Sequence, residues 1–138
     1  MKTRGGMEVT GFEEFQSRLQ KALADHEAEA MRAIREIGDL GLLGAVEYAP
    51  IDEGLLAESI EKLVQEENGT YVAVIRVPLN APAADYAVAM HEDQYNPGPK
   101  SQKKAAKVGH EVGRKYIVKG IASQQERFLV VIKNRLGV

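Results

Sequence analysis

The chain has 138 residues, 44% of them hydrophobic, with 18 Lys/Arg against 20 Asp/Glu and no cysteine. That length fits one domain, 1–138, able to bury roughly two thirds of the surface its unfolded form exposes, and the missing thiols exclude a disulfide framework and a thiolate metal site. The net charge of −2 hides a division: residues 1–48 carry −3, residues 49–93 carry −7 and residues 94–138 carry +8.

A short extended piece at Met7, Glu8 and Val9 precedes Thr10, which with Glu13 has the form of a capping box and predicts a long helix from about Gly11 to Tyr48. Phe12, Phe15, Leu19, Leu23, Ala30, Ile34, Ile37, Leu40 and Val46 recur at three- and four-residue steps, which makes one face apolar. Gly38, Gly41 and Gly44 each weaken a helix by about 1 kcal/mol relative to alanine, so their spacing predicts close packing of another backbone. Pro50 lacks an N–H and disfavours helical geometry at Ala49, which ends this helix. Asp52 can cap the next one, running to about Ile60, with Glu53 adding negative charge at its positive end. Pro50, Asp52 and Gly54 thus mark a corner between two helices.

Residues 61–67 and 70–78 read as strands joined by Asn68-Gly69, a dipeptide suited to a tight hairpin turn. In the second, Tyr71, Ala73, Ile75 and Val77 alternate with Val72, Val74 and Arg76, so apolar side chains point to both faces. The run Tyr86 to Met90 could be a third strand or a short helix. From about 95 to 113, Pro97, Gly98, Pro99, Gly109 and Gly113 among lysines predict an exposed, mobile basic loop. An amphipathic helix from about Arg114 to Leu136 closes the chain, with Tyr116, Ile117, Ile121, Phe128, Val131 and Ile132 as its buried stripe. The expected fold class is α+β: a small, mostly antiparallel sheet packed against a long N-terminal helix and a C-terminal helix.

Four pieces, read in order, resemble the head-to-tail joining proteins of long-tailed bacteriophages, variously called neck, tail-completion or minor capsid proteins. They are Val9-Thr10-Gly11-Phe12, Ala49-Pro50 through Ile60, Tyr86-Ala87 with His91-Glu92, and Gly113-Arg114-Lys115-Tyr116. Pro50, Asp52, Gly54, Leu56, Ser59 and Ile60 approximate the family pattern. Glu53 stands where the family commonly has threonine, and the lysine-rich stretch exceeds that of compact members. The resemblance implies a structural virion subunit, made in the host cytoplasm, that forms a ring in the neck between portal and tail around the DNA channel. It implies no reaction and no cofactor; its partners would be copies of itself and neighbouring connector, portal or tail proteins.

A cyclic head-to-tail contact needs two different complementary patches. Asp52, Glu53, Glu58, Glu66 and Glu67 are the candidate acidic interface, with part of the basic segment opposite it in the next copy. Lys100, Lys103, Lys104, Lys107, Arg114 and Lys115 are candidates for contact with duplex DNA through its phosphates, or with a neighbouring protein. A stand-alone basic-loop nucleic-acid-binding protein is the alternative function. Opposite halves neutralising each other within one domain would also explain the charge division.

An enzyme would have to rest on His91, Glu92, Asp93, His110 and Glu111, and this spacing lacks the second histidine four residues along that a zinc-protease helix requires. His26 reads as an interface or core-edge residue. There is no phosphate-cradling glycine loop or serine elbow. No apolar run approaches the ~20 residues that span a bilayer, and the N-terminus leads into polar sequence, so an untargeted soluble protein with no membrane partner is expected.

Overall fold

A computed structural model describes residues 7–9, 27–51, 55–67 and 70–137. The Thr10/Glu13 box, the helix expected before Glu27, the cap at Asp52 with Glu53 and Gly54, and the Asn68-Gly69 turn lie outside the described residues. The elements are β1 (Met7–Val9), α1 (Glu27–Tyr48), α2 (Leu55–Ser59), β2 (Glu61–Glu67), β3 (Thr70–Val77), α3 (Ala84–Glu92), α4 (Pro99–Val108), α5 (Tyr116–Ala122) and α6 (Gln125–Leu136). The fold is α+β.

The three strands form an antiparallel sheet in the order β1-β3-β2. Met7 pairs with Val77, and β2 runs beside β3 from Glu61 opposite Arg76 to Glu67 opposite Thr70. Opposed residues share a face, and Arg76 Nε donates to Glu61 at 2.8 Å across the ladder. Ala73, Ile75 and Val77 are buried on one side of β3 and Val74 on the other, so the central strand is apolar on both faces.

Helix α1 is the hub, touching α2, both long strands, α5 and α6. Ala30, Ala33, Ile34, Ile37, Gly38, Gly41, Gly44 and Ala45 are its buried residues, a stripe at helical spacing that narrows to glycine and alanine toward the C-terminal half. The small side chains admit two neighbours. At Gly38 an added Cβ would meet the Lys62 stem of β2 at 2.7 Å and Ala73 of β3 at 3.6 Å; at Gly44 it would meet the Gly120 carbonyl oxygen of α5 at 2.1 Å. Six residues at 100° each place these two faces about 120° apart around α1. The expected backbone packing is therefore present at Gly44, and Gly38 is covered by a lysine stem whose ammonium reaches Asp39 at 2.5 Å.

The expected C-terminal helix is two helices. Ser123 and Gln124 separate α5 from α6, with Ile117 and Ile121 buried on the first and Phe128 and Ile132 on the second. Each such fully buried side chain contributes about 1.5–3 kcal/mol of transfer free energy. Arg135 of α6 clamps Glu36 and reaches Glu29 at 3.3 Å, bridging two turns of α1. Residues 84–92 are helical: Ala84, Ala87 and His91 recur on the buried side of α3, and the Tyr116 hydroxyl donates to the Ala87 carbonyl at 2.9 Å.

The basic stretch 95–113 contains a ten-residue helix where a loop is expected. Pro99 sits in the first turn of α4, where its missing N–H costs nothing, and Gly109 ends it at φ +83°, its N–H donating to Ala105. No glycine or proline interrupts the turns between.

Candidate functional site

The end of α1 is a junction of polar bonds from distant parts of the chain. Ser101 clips onto Ile51 twice: the Ile51 N–H donates to its Oγ at 2.8 Å, and the hydroxyl donates to the Ile51 carbonyl at 3.0 Å. The Lys104 ammonium donates to the Val46 carbonyl at 2.6 Å and the Ala49 carbonyl at 2.7 Å. A cation on the last carbonyls of a helix complements its dipole. Burial pushes the Lys104 pKa below the usual lysine value, with Glu47 opposing that shift. The Gly113 N–H donates to Tyr48 at 2.9 Å.

The corner at Pro50, a buried residue, is thus fixed by Ser101 and Lys104, while Asp52 and Gly54 lie outside the described residues. Lys104 is a helix cap and not an outward contact. Arg114 and Lys115, also candidates for DNA or a neighbour, are engaged within the chain at the end of α3. Arg114 Nε donates to the Glu92 carbonyl at 3.0 Å, the Lys115 N–H to the His91 carbonyl at 2.7 Å and the Lys115 ammonium to the Glu92 carboxylate at 2.5 Å. Lys115 adopts φ 60°, a left-handed conformation that costs a non-glycine residue roughly 1–2 kcal/mol. Lys115, and then His91, hold the Glu92 carboxyl down to about 2.

His91 is 1% exposed, edge-on to Tyr116 with ring centroids 4.9 Å apart. Its Nδ1 lies 2.9 Å from Glu92, and burial lowers its pKa against the pull of that carboxylate. His110 stacks on Tyr48 at 3.9 Å, with its Nε2 3.4 Å from a Glu47 oxygen. Both histidines are packing residues of helix ends. Among the described residues no group of three or more His, Asp or Glu is placed to hold a metal ion.

Lys100, Lys103 and Lys107 remain on the outward side of α4 as exposed residues. With Lys104, Ile51 and Val108 they line a hollow of about 610 Å³. Lys100 stands in the first turn, where the helix dipole disfavours a cation, and α4 has no acid there to offset it. Ile51 also lines a second, mainly apolar cleft of about 340 Å³ with Leu56, Tyr86, Met90 and Pro97.

The acidic candidates are not one cluster. Glu58 is exposed on α2, just past the corner, and Glu66 is exposed near the far end of β2, more than five residues and about 17 Å along a strand from it. Glu66 faces Tyr71, which also lies beside Glu27 at the start of α1. Asp52, Glu53 and the Glu67 side chain lie outside the described residues. Sequence reading missed Ser101 and the apolar cleft, because both depend on residues about fifty positions apart coming together.

Among the described residues no helix is long and apolar enough to cross a membrane. Comparison with protein families, with curated proteins and with solved structures finds no match to this chain.

Proposed function

We propose that this protein is a structural subunit of the phage neck, in which copies close a ring between portal and tail around the DNA channel. The observation that supports it most is the basic surface of α5 and α6, which exposes Lys119, Arg127 and Lys133 with Glu126 the one acid beside them among the described residues, while Glu58 of α2 and Glu66 of β2 are exposed on other elements, Glu66 with Arg35 near it across Tyr71. Two unlike faces on one subunit suit a head-to-tail contact that closes on itself. Two of the four pieces that carry the family resemblance are also bonded to each other, through Lys115 on His91 and Glu92 and Tyr116 on Ala87, and Gly113 reaches Tyr48, next to the start of a third, which fits a framework role for them.

The test is charge reversal. Glu58→Lys with Glu66→Lys, or Arg127→Glu with Lys133→Glu, should each leave monomers in light scattering, and an equimolar mixture of the two variants should reassemble, because each then offers the face the other lacks. A wild-type protein monomeric at every concentration, and absent from virions by labelled imaging, overturns the reading.

The alignment of Lys100, Lys103 and Lys107 on one side of α4 favours nucleic-acid binding as a second reading. Three phosphate contacts would give a log–log salt slope of about −2.7 on duplex DNA.

A further inference from the structure

We infer that the groove centred on Ile51 is a docking site for an acidic peptide segment carrying one bulky apolar side chain, supplied by a neighbouring protein. This rests on the reading of the chain as a joint and names the contact on its α4 side. The two hollows meet at Ile51. One, of about 340 Å³ and walled by Leu56, Tyr86, Met90 and Pro97, has room for a large apolar side chain. The other is bordered by Lys100, Lys103 and Lys107. Seven residues of helix place Lys100 and Lys107 about 10 Å apart, the span of two helical turns or three extended residues of a ligand.

Charge complementarity selects an acidic occupant, and the apolar half separates a peptide from duplex DNA. Phosphates would use the lysines and leave the cleft beside Tyr86 and Met90 empty. The double clip of Ser101 on Ile51 and the Lys104 cap hold the floor of the groove in place before any ligand arrives, which lowers the ordering cost of binding.

The test is selection of a random twelve-residue peptide library on the intact protein, followed by fluorescence polarisation of the enriched peptides. Enriched sequences should place two or more acids within seven residues of a Phe, Leu or Trp. Tyr86→Ala, and separately Lys103→Glu with Lys107→Glu, should each weaken binding at least tenfold while circular dichroism stays unchanged. Raising salt should abolish the effect of the lysine changes and spare that of Tyr86→Ala. No enrichment, enrichment without acids, or binding of peptide and duplex DNA alike that ignores Tyr86→Ala would overturn the proposal. Repeating the titration on the monomeric Glu58→Lys, Glu66→Lys variant separates the two readings: retained binding there supports the groove whether or not a ring forms, and lost peptide binding by wild-type rings counts against the groove alone.

Discussion

Gly44 and Gly120 leave no space for a β-carbon, since each would sit within 2.1 to 2.5 Å of the other's backbone carbonyl. Alanine at either position gains about 1 kcal/mol of helix propensity and forces α1 and α5 apart. Gly44→Ala should therefore destabilise the protein by about 2–3 kcal/mol net in urea unfolding, within the range of overpacked cores. Gly98 is the control. A β-carbon there meets nothing within 4 Å and its φ is −71°, so Gly98→Ala should change stability by less than about 0.5 kcal/mol.

The His91 and Glu92 pair gives the stability curve its acid limb. His91 binds its proton more weakly folded than unfolded, so the native state loses stability as pH falls below 6.5, its unperturbed value. Glu92 is a depressed carboxylate, and its contribution, present above 4.5, is lost as pH falls toward about 2. His91→Gln should flatten the first decline and Lys115→Met the second. Thermal midpoints taken from pH 7 to pH 2 would check both; a His91→Gln curve parallel to wild type through pH 6 would refute the assignment.

At the scale of elements, α4 is the instructive case. Gly98-Pro99 and Gly109, read as loop signals in the sequence, in fact bracket ten uninterrupted helical residues. What obscured it was composition: only Ser101 of the helix is buried, so there is no apolar stripe for periodicity to find. The anchors are polar and non-local, Ser101 on Ile51 and Lys104 on Val46 and Ala49. Removing both, with Ser101→Ala and Lys104→Met, should raise amide exchange across 99–108 at least tenfold while 128–132 in α6 stays protected. Equal loss in both segments would mean α4 is part of the global unit. By contrast, α1, β2 and β3 were readable because apolar periodicity, alternation and Asn68-Gly69 are local signals. The break at Ser123 and Gln124 was not, since the apolar residues on both sides continue one helical register.

For the whole molecule, the proposed association of copies through unlike charges can be tested by ionic strength. Exposed charges are screened beyond ~8 Å at physiological salt and ~3 Å at 1 M. If ion pairs dominate the contact between copies, the ring population in sedimentation should shrink between 50 mM and 1 M salt; a distribution unmoved by salt would instead indicate an apolar seam. Part of the charge division acts within the chain. Arg135 on Glu29 and Glu36, Lys115 on Glu92 and Lys62 on Asp39 tie early acids to later cations. The lysine stripe of α4 and the site residues of the groove could not be placed from sequence, because nothing local tells Lys104, turned inward, from Lys103, turned out.

One side of helix α1 finds its partners late. Gly44 meets Gly120, Tyr48 receives the Gly113 N–H and Glu36 is clamped by Arg135. A ribosome adding roughly 5–20 residues per second therefore holds a half-made chain for several seconds with the Gly44 side of this helix unsheltered. Nascent polypeptides arrested before Gly113 should need chaperone cover, and the domain should snap together only once residues 113–136 have cleared the exit tunnel.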